Sequence, residues 1–139
     1  MSAYDEGGKI RAQQLELLNA VMEEEYQAGN YVIVGGDFNH ALGEAVAEGF
    51  ASEQKFPEWV SILTQAEIAE GIQIQQAENE LEVPTCRGAD IPYTKGVTYT
   101  TVVDGFLVSD NIKATAENID TDFRYSDHNP VRLQFELLE

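Results

Sequence analysis

Cysteine occurs once in the 139 residues, as Cys86, so an internal disulfide is excluded and no cluster of thiolates can form within the chain. Basic residues are also scarce: 8 Lys and Arg stand against 25 Asp and Glu, giving a net charge of −17 and an isoelectric point near 4.2. Such a surface repels polyanions at long range, and unaided it holds a phosphate backbone poorly. No apolar run approaches the length of a membrane helix, and residues 1–10 lack an apolar signal core. The spaced D-x-D-x-D-G loop of a calcium-binding helix pair is missing, which argues against an acidic calcium binder. Neither repeats nor low-complexity stretches occur, and the length suits one domain or part of one, residues 1–139.

What is present has the texture of a layered domain. Apolar residues at Ile10, Leu15, Leu17, Leu18, Val21, Met22 and Tyr26 form a helical stripe from Lys9 to Ala28, ended by Gly29 and Asn30. The apolar run Tyr31 to Val34, closed by Gly35 and Gly36, predicts a strand buried on both faces. Pro57 opens a second predicted helix over 57–69, through Trp59, Val60, Ile62 and Leu63. Ile72 to Ile74 alternates as a strand, and 79–93 reads as a long loop holding Pro84, Arg87, Gly88 and Pro92. Tyr99 to Val108 is the richest β segment, followed by a weaker strand over 112–119 and a final alternating strand from Val131 to Leu137. Strands interleaved with helices predict an α/β or α+β layered domain.

Three polar clusters fall within or beside these strands. Asp37 and Asn39 follow the first, Asp104 interrupts the β-rich segment, and Asp127 with His128 precedes the last. Alone, each has an ordinary explanation: Gly, Asp and Asn suit turns, and a polar turn can carry a structural histidine. Asp104 among Val and Phe needs a partner if it is buried. Together they suit phosphate-ester hydrolysis, which needs a hard cation on carboxylate oxygen, a group that activates water and donors for the charge on phosphorus.

The series GGDFN (35–39), VDGFLVS (103–109) and YSDHNPV (125–131) resembles the closing motifs of the endonuclease/exonuclease/phosphatase superfamily, with PTCR (84–87) as a looser fourth element. The likeness runs from the first helix to the C-terminus. It implies half of a four-layer αββα sandwich, one mixed sheet with helices on one face. It also implies a Mg²⁺- or Mn²⁺-dependent phosphoesterase in which Asp37 orients or deprotonates water, Asn39 donates to the transition state and Asp104 pairs with His128. Asp127 and Asp37 would then contact the metal, while His128, Asn39 and Arg87 would hold the phosphate; the base stays open between Asp37 and His128.

The family's first half, with its metal-binding glutamate and N-x-H strand, has no counterpart here. The expectation is therefore a C-terminal portion lacking its N-terminal half, weak or inactive by itself. Its parent could be membrane-anchored, and its substrate class stays open, nucleic acid included. The uncovered sheet would be apolar enough to recruit a second copy as a homodimer. The alternative is a non-catalytic acidic binding or assembly module on the same scaffold.

Overall fold

The computed structural model describes residues 1–55, 57, 58 and 60–139. The apolar periodicity after Gly8 forms helix α1 (Lys9–Gln27). Its first turn is capped from a distance: the buried carboxylate of Asp5 accepts the Arg11 backbone N–H at 2.7 Å. That bond holds the Asp5 carboxyl below its usual range, against an opposing contribution from burial. Gly29, at φ 83°, ends the helix in the left-handed conformation that a β-carbon would disfavour.

After α1 come β1 (Ile33–Asp37), β2 (His40–Leu42), α2 (Glu44–Glu48), β3 (Ser61–Leu63), a 3-10 turn (Gln65–Glu67), β4 (Ile72–Gln75), β5 (Cys86–Arg87), β6 (Thr100–Thr101), β7 (Asp104–Ser109), β8 (Ile112–Asn118) and β9 (Val131–Leu137). The architecture is α+β. Strand β7 is the centre of a three-stranded antiparallel sheet, flanked by β1 and β4. Strands β5 with β6 and β8 with β9 pair antiparallel, whereas β2 and β3 pair parallel.

Strand pleating sends Leu107 to one face of β7 and Asp104, Phe106 and Val108 to the other. Leu107 is fully buried, with Val32, Ile72, Ile74 and Met22 of α1 in the same core cluster. On the opposite face Phe106 lies over Gly35, its register partner in β1; a β-carbon on Gly35 would sit 2.6 Å from the ring. This side of the sheet ends in the register pair Asp37 and Asp104.

Several expectations need correction. Residues 61–63 are a strand, not part of a helix over 57–69: the backbone of Ser61, Ile62 and Leu63 pairs with β2, and only the 3-10 turn follows. Trp59 lies outside the described residues, and the second helix is α2, in a stretch that carried no clear periodicity. The first strand begins at Ile33 and is not buried on both faces, since Ile33 is exposed. The α1 stripe also splits, with Met22 buried while Ile10, Leu17 and Val21 face solvent. Among the described residues, the strands pair in four groups and not as one mixed sheet, with isolated bridges at Ala77 to Ala116 and Cys86 to His128. Among the described residues, no helix is long and apolar enough to cross a membrane.

Candidate functional site

The register of β1 on β7 brings Asp37 and Asp104 opposite one another, and paired positions in an antiparallel ladder project to the same face. Like charges so placed repel. His128 offsets the repulsion by donating Nδ1–H to Asp104 Oδ2 at 2.8 Å. One ligand atom from each of Asp37, Asp104 and His128 lies within 4.8 Å of the other two, the single such grouping among the described residues.

The loop that carries His128 is set by its own polar residues. Ser126 Oγ accepts the His128 backbone N–H at 3.0 Å. Buried Asn129 binds the Pro84 carbonyl through Nδ2 and accepts from both the N–H and the hydroxyl of Thr121. Asn129 is thus the residue that locks the turn. Thr85, also fully buried, accepts the backbone N–H groups of Val103 and Asp104 at 3.0 and 3.1 Å. Its main-chain carbonyl accepts the Asn129 N–H at 2.7 Å. One threonine therefore ties the strand bearing Asp104 to the loop bearing His128.

Asn39 stands beside Asp37 in the left-handed conformation, at φ 49°. Its N–H donates to Asp37 Oδ1 at 2.8 Å, and its Nδ2 donates to Asp37 Oδ2 at 3.2 Å and to the Met1 carbonyl at 2.6 Å. The Asn39 carbonyl accepts from Arg11 Nη1 at 3.0 Å, which joins the start of α1 to the site. Arg11 is buried, and its Nε has no acceptor among the described residues.

Four of the sequence-selected residues thus come together: Asp37, Asn39, Asp104 and His128. Asp127 does not join them through its carboxylate. It is exposed, and it contributes its main-chain carbonyl to the Arg87 N–H. Arg87 turns Nη1 onto the Gly88 carbonyl, and its Nε is buried without an acceptor.

Cys86, not singled out from sequence, closes the arrangement. It forms a β-bridge with His128, and its Sγ lies 3.8 Å from His128 Nε2. The signal was its place in PTCR, the loosest of the four motifs. The hydrogen bond to Asp104, and secondarily the contact with Cys86, raise the His128 pKa to about 11, against the lowering effect of burial. At neutral pH the group is therefore an imidazolium, with two N–H donors directed by two fixed neighbours.

Compared with models of known protein families, with curated proteins and with solved structures, the chain matches none.

Proposed function

We propose that this chain works in the metal-dependent hydrolysis of phosphate esters, in the manner of the endonuclease/exonuclease/phosphatase superfamily that its motifs resemble. The observation that carries the reading is the meeting of Asp37, Asp104 and His128 within 4.8 Å, with Asn39 bonded to the first of them. Two carboxylates offer the hard oxygen ligands that Mg²⁺ or Mn²⁺ takes. When bound, such an ion polarises a phosphoryl oxygen and offsets the charge that develops on it.

The protein's own groups divide the remaining work. His128, as an imidazolium, is a donor and is unsuited to accept a proton at neutral pH; it holds a phosphoryl oxygen through Nε2–H. Asp104 fixes its tautomer and stabilises its charge. The role of orienting and deprotonating water then falls to Asp37. Asn39 Nδ2 is the second donor, and the Met1 carbonyl now occupies an acceptor position that a phosphoryl oxygen would take. Arg87 acts as a loop anchor in this scheme, and Asp127 as a backbone prop for it.

The net charge of −17 favours a small phosphodiester or monoester over a nucleic-acid polymer. Turnover by this chain is expected to be slow, since Asp37 and Asp104 are the two carboxylates gathered there and a hard cation takes more oxygen ligands than they supply. Two measurements test the reading: Mn²⁺ binding followed by electron paramagnetic resonance, and release of nitrophenol from a chromogenic phosphodiester. Wild type should bind Mn²⁺, Asp37→Asn should not, and His128→Gln should reduce turnover at least about 100-fold. Equal Mn²⁺ binding by wild type and Asp37→Asn, with no turnover, would leave the acidic binding module as the better account.

A further inference from the structure

Between α1 and β3 lies a groove of about 680 Å³ that the chemistry above does not use. Along α1 its wall is Ala12, Glu16, Ala20 and Glu23, which share one helix face because they recur three or four residues apart. The two alanines are too small to fill it. Half-buried Leu15 and Ile62, both packed on the core, line it with apolar surface. Glu16, Glu23 and Glu67 are its exposed carboxylates, and among the described residues that line the groove none is Lys or Arg. Glu67 is held in place by the N–H and the hydroxyl of Thr64, at 2.8 and 3.0 Å. The two walls are clamped at both ends. Asn19 donates through Nδ2 to the Glu67 carbonyl at 2.8 Å and accepts the Ala69 N–H at 2.9 Å. Towards the other end Arg11 joins α1 to the Asn39 carbonyl, just before β2, on which β3 pairs. The groove is therefore preformed, and an occupant does not have to order it.

We infer that this groove takes a short, basic, amphipathic helix of a partner protein, with its apolar stripe on Leu15 and Ile62 and its Lys or Arg residues against Glu16, Glu23 and Glu67. Ala12 and Ala20, in one row with Glu16, let a second helix approach α1 closely. The wall from Ala12 to Glu23 is about 16 Å long at ~1.5 Å per residue, which is about three turns of such a helix. Apolar contact supplies the affinity, while the carboxylates speed encounter and reject acidic segments. A second copy of this chain fits less well, because it brings its own charge of −17 against the same rim. The groove and the phosphoesterase reading stand or fall separately.

The probe is a fluorescein-labelled peptide of about 12 residues with Leu on one helical face and Lys on the other, set against a scrambled peptide of the same composition. At physiological ionic strength, anisotropy should show wild type binding the striped peptide at least about tenfold more tightly than the scrambled one. Ala20→Trp, which fills the groove from an exposed position, and the double variant Glu16→Lys/Glu23→Lys should each weaken binding at least about tenfold. Glu136→Lys, exposed on β9 and outside the groove, should change it less than about twofold. In the unaltered protein, amide shifts on titration should cluster at Ala12, Leu15, Asn19 and Ile62. Equal binding of the two peptides, equal weakening by the double variant and Glu136→Lys, or shifts elsewhere would reveal only the general pull of an acidic surface and overturn the inference. Self-association that is lost in Ala20→Trp, with no striped peptide bound, would give the groove to a second copy instead.

Discussion

Asp37 and Asp104 are direct partners across β1 and β7, two carboxylates at the end of a sheet face that also carries Ile33, Phe106 and Val108. A like-charged cross-strand pair opposes folding by itself. Here the cost is offset by the imidazolium of His128 on Asp104 and by two donors of Asn39 on Asp37. The pair leaves a net negative charge beside a fixed cationic donor, an arrangement suited to binding a cation on one side and an anionic ester on the other.

The Asp104 to His128 bond should be visible in the titration of the ring. In wild type, NMR should place the His128 pKa near 11, and in Asp104→Asn it should fall toward the ordinary 6.5. An unchanged pKa in the variant would mean that the bond does not form in solution.

The same linkage sets a pH dependence of stability. A folded-state pKa raised above 6.5 contributes stability fully present below that value, declining as pH rises and gone above about 11. Urea midpoints of wild type and Asp104→Asn should therefore differ most at the acid end of this window and converge toward its alkaline end. The difference between the two proteins is the quantity to follow.

Thr85 is the hidden support of the site. Thr85→Val keeps the shape but leaves the N–H groups of Val103 and Asp104 without their acceptor. The cost should be about 2–6 kcal/mol, at 1–3 kcal/mol for each of the two buried unsatisfied groups. Thr85→Ser, which retains the hydroxyl, should lose far less. Equal losses in the two variants, measured by chemical denaturation, would place the effect in packing instead.

Gly35 is required by a neighbour and not by its own backbone angles. Gly35→Ala forces the Phe106 ring to move and should destabilise by about 1–3 kcal/mol, the usual range for overpacking. Phe106→Leu in the same chain should recover part of that loss. Additive effects in the double mutant would show that the ring does not lie over this glycine.

Tyr31, Ile33, Phe135, Leu137 and Leu138 are exposed, and the Tyr31 hydroxyl donates to the Leu138 carbonyl, which joins the start of this group to its end. A second copy is the expected cover, opposed by the repulsion between chains of charge −17. Light scattering should thus show association that strengthens with ionic strength, since salt screens the repulsion and leaves the apolar contact. Phe135→Lys should abolish it; a monomer at all salt concentrations would reject the homodimer.

Local chemistry made much of this protein legible. The α1 stripe with Gly29, the alternation of β9 and the turn residues around Asp37 and His128 depend on neighbours a few residues away. Their outcomes were therefore written in the order of the chain, as was the choice of Asp37, Asn39, Asp104 and His128. Where two pairings competed, sequence order was insufficient. Ser61, Ile62 and Leu63 satisfy an apolar helix face as well as a strand, and the free edge of β2 decided for the strand. Asp127 and His128 are adjacent in sequence, but the turn held by Ser126 and Asn129 puts one ring on Asp104 and leaves the other side chain to solvent. The contact of Cys86 with His128 spans 42 positions, and no periodicity carries information over that distance. It arises because Thr85 binds Asn129 on one side and the β7 backbone on the other. The residue types at the site were thus a property of the sequence, whereas their partners were set by which buried hydrogen-bonding groups had to be satisfied once the strands were packed.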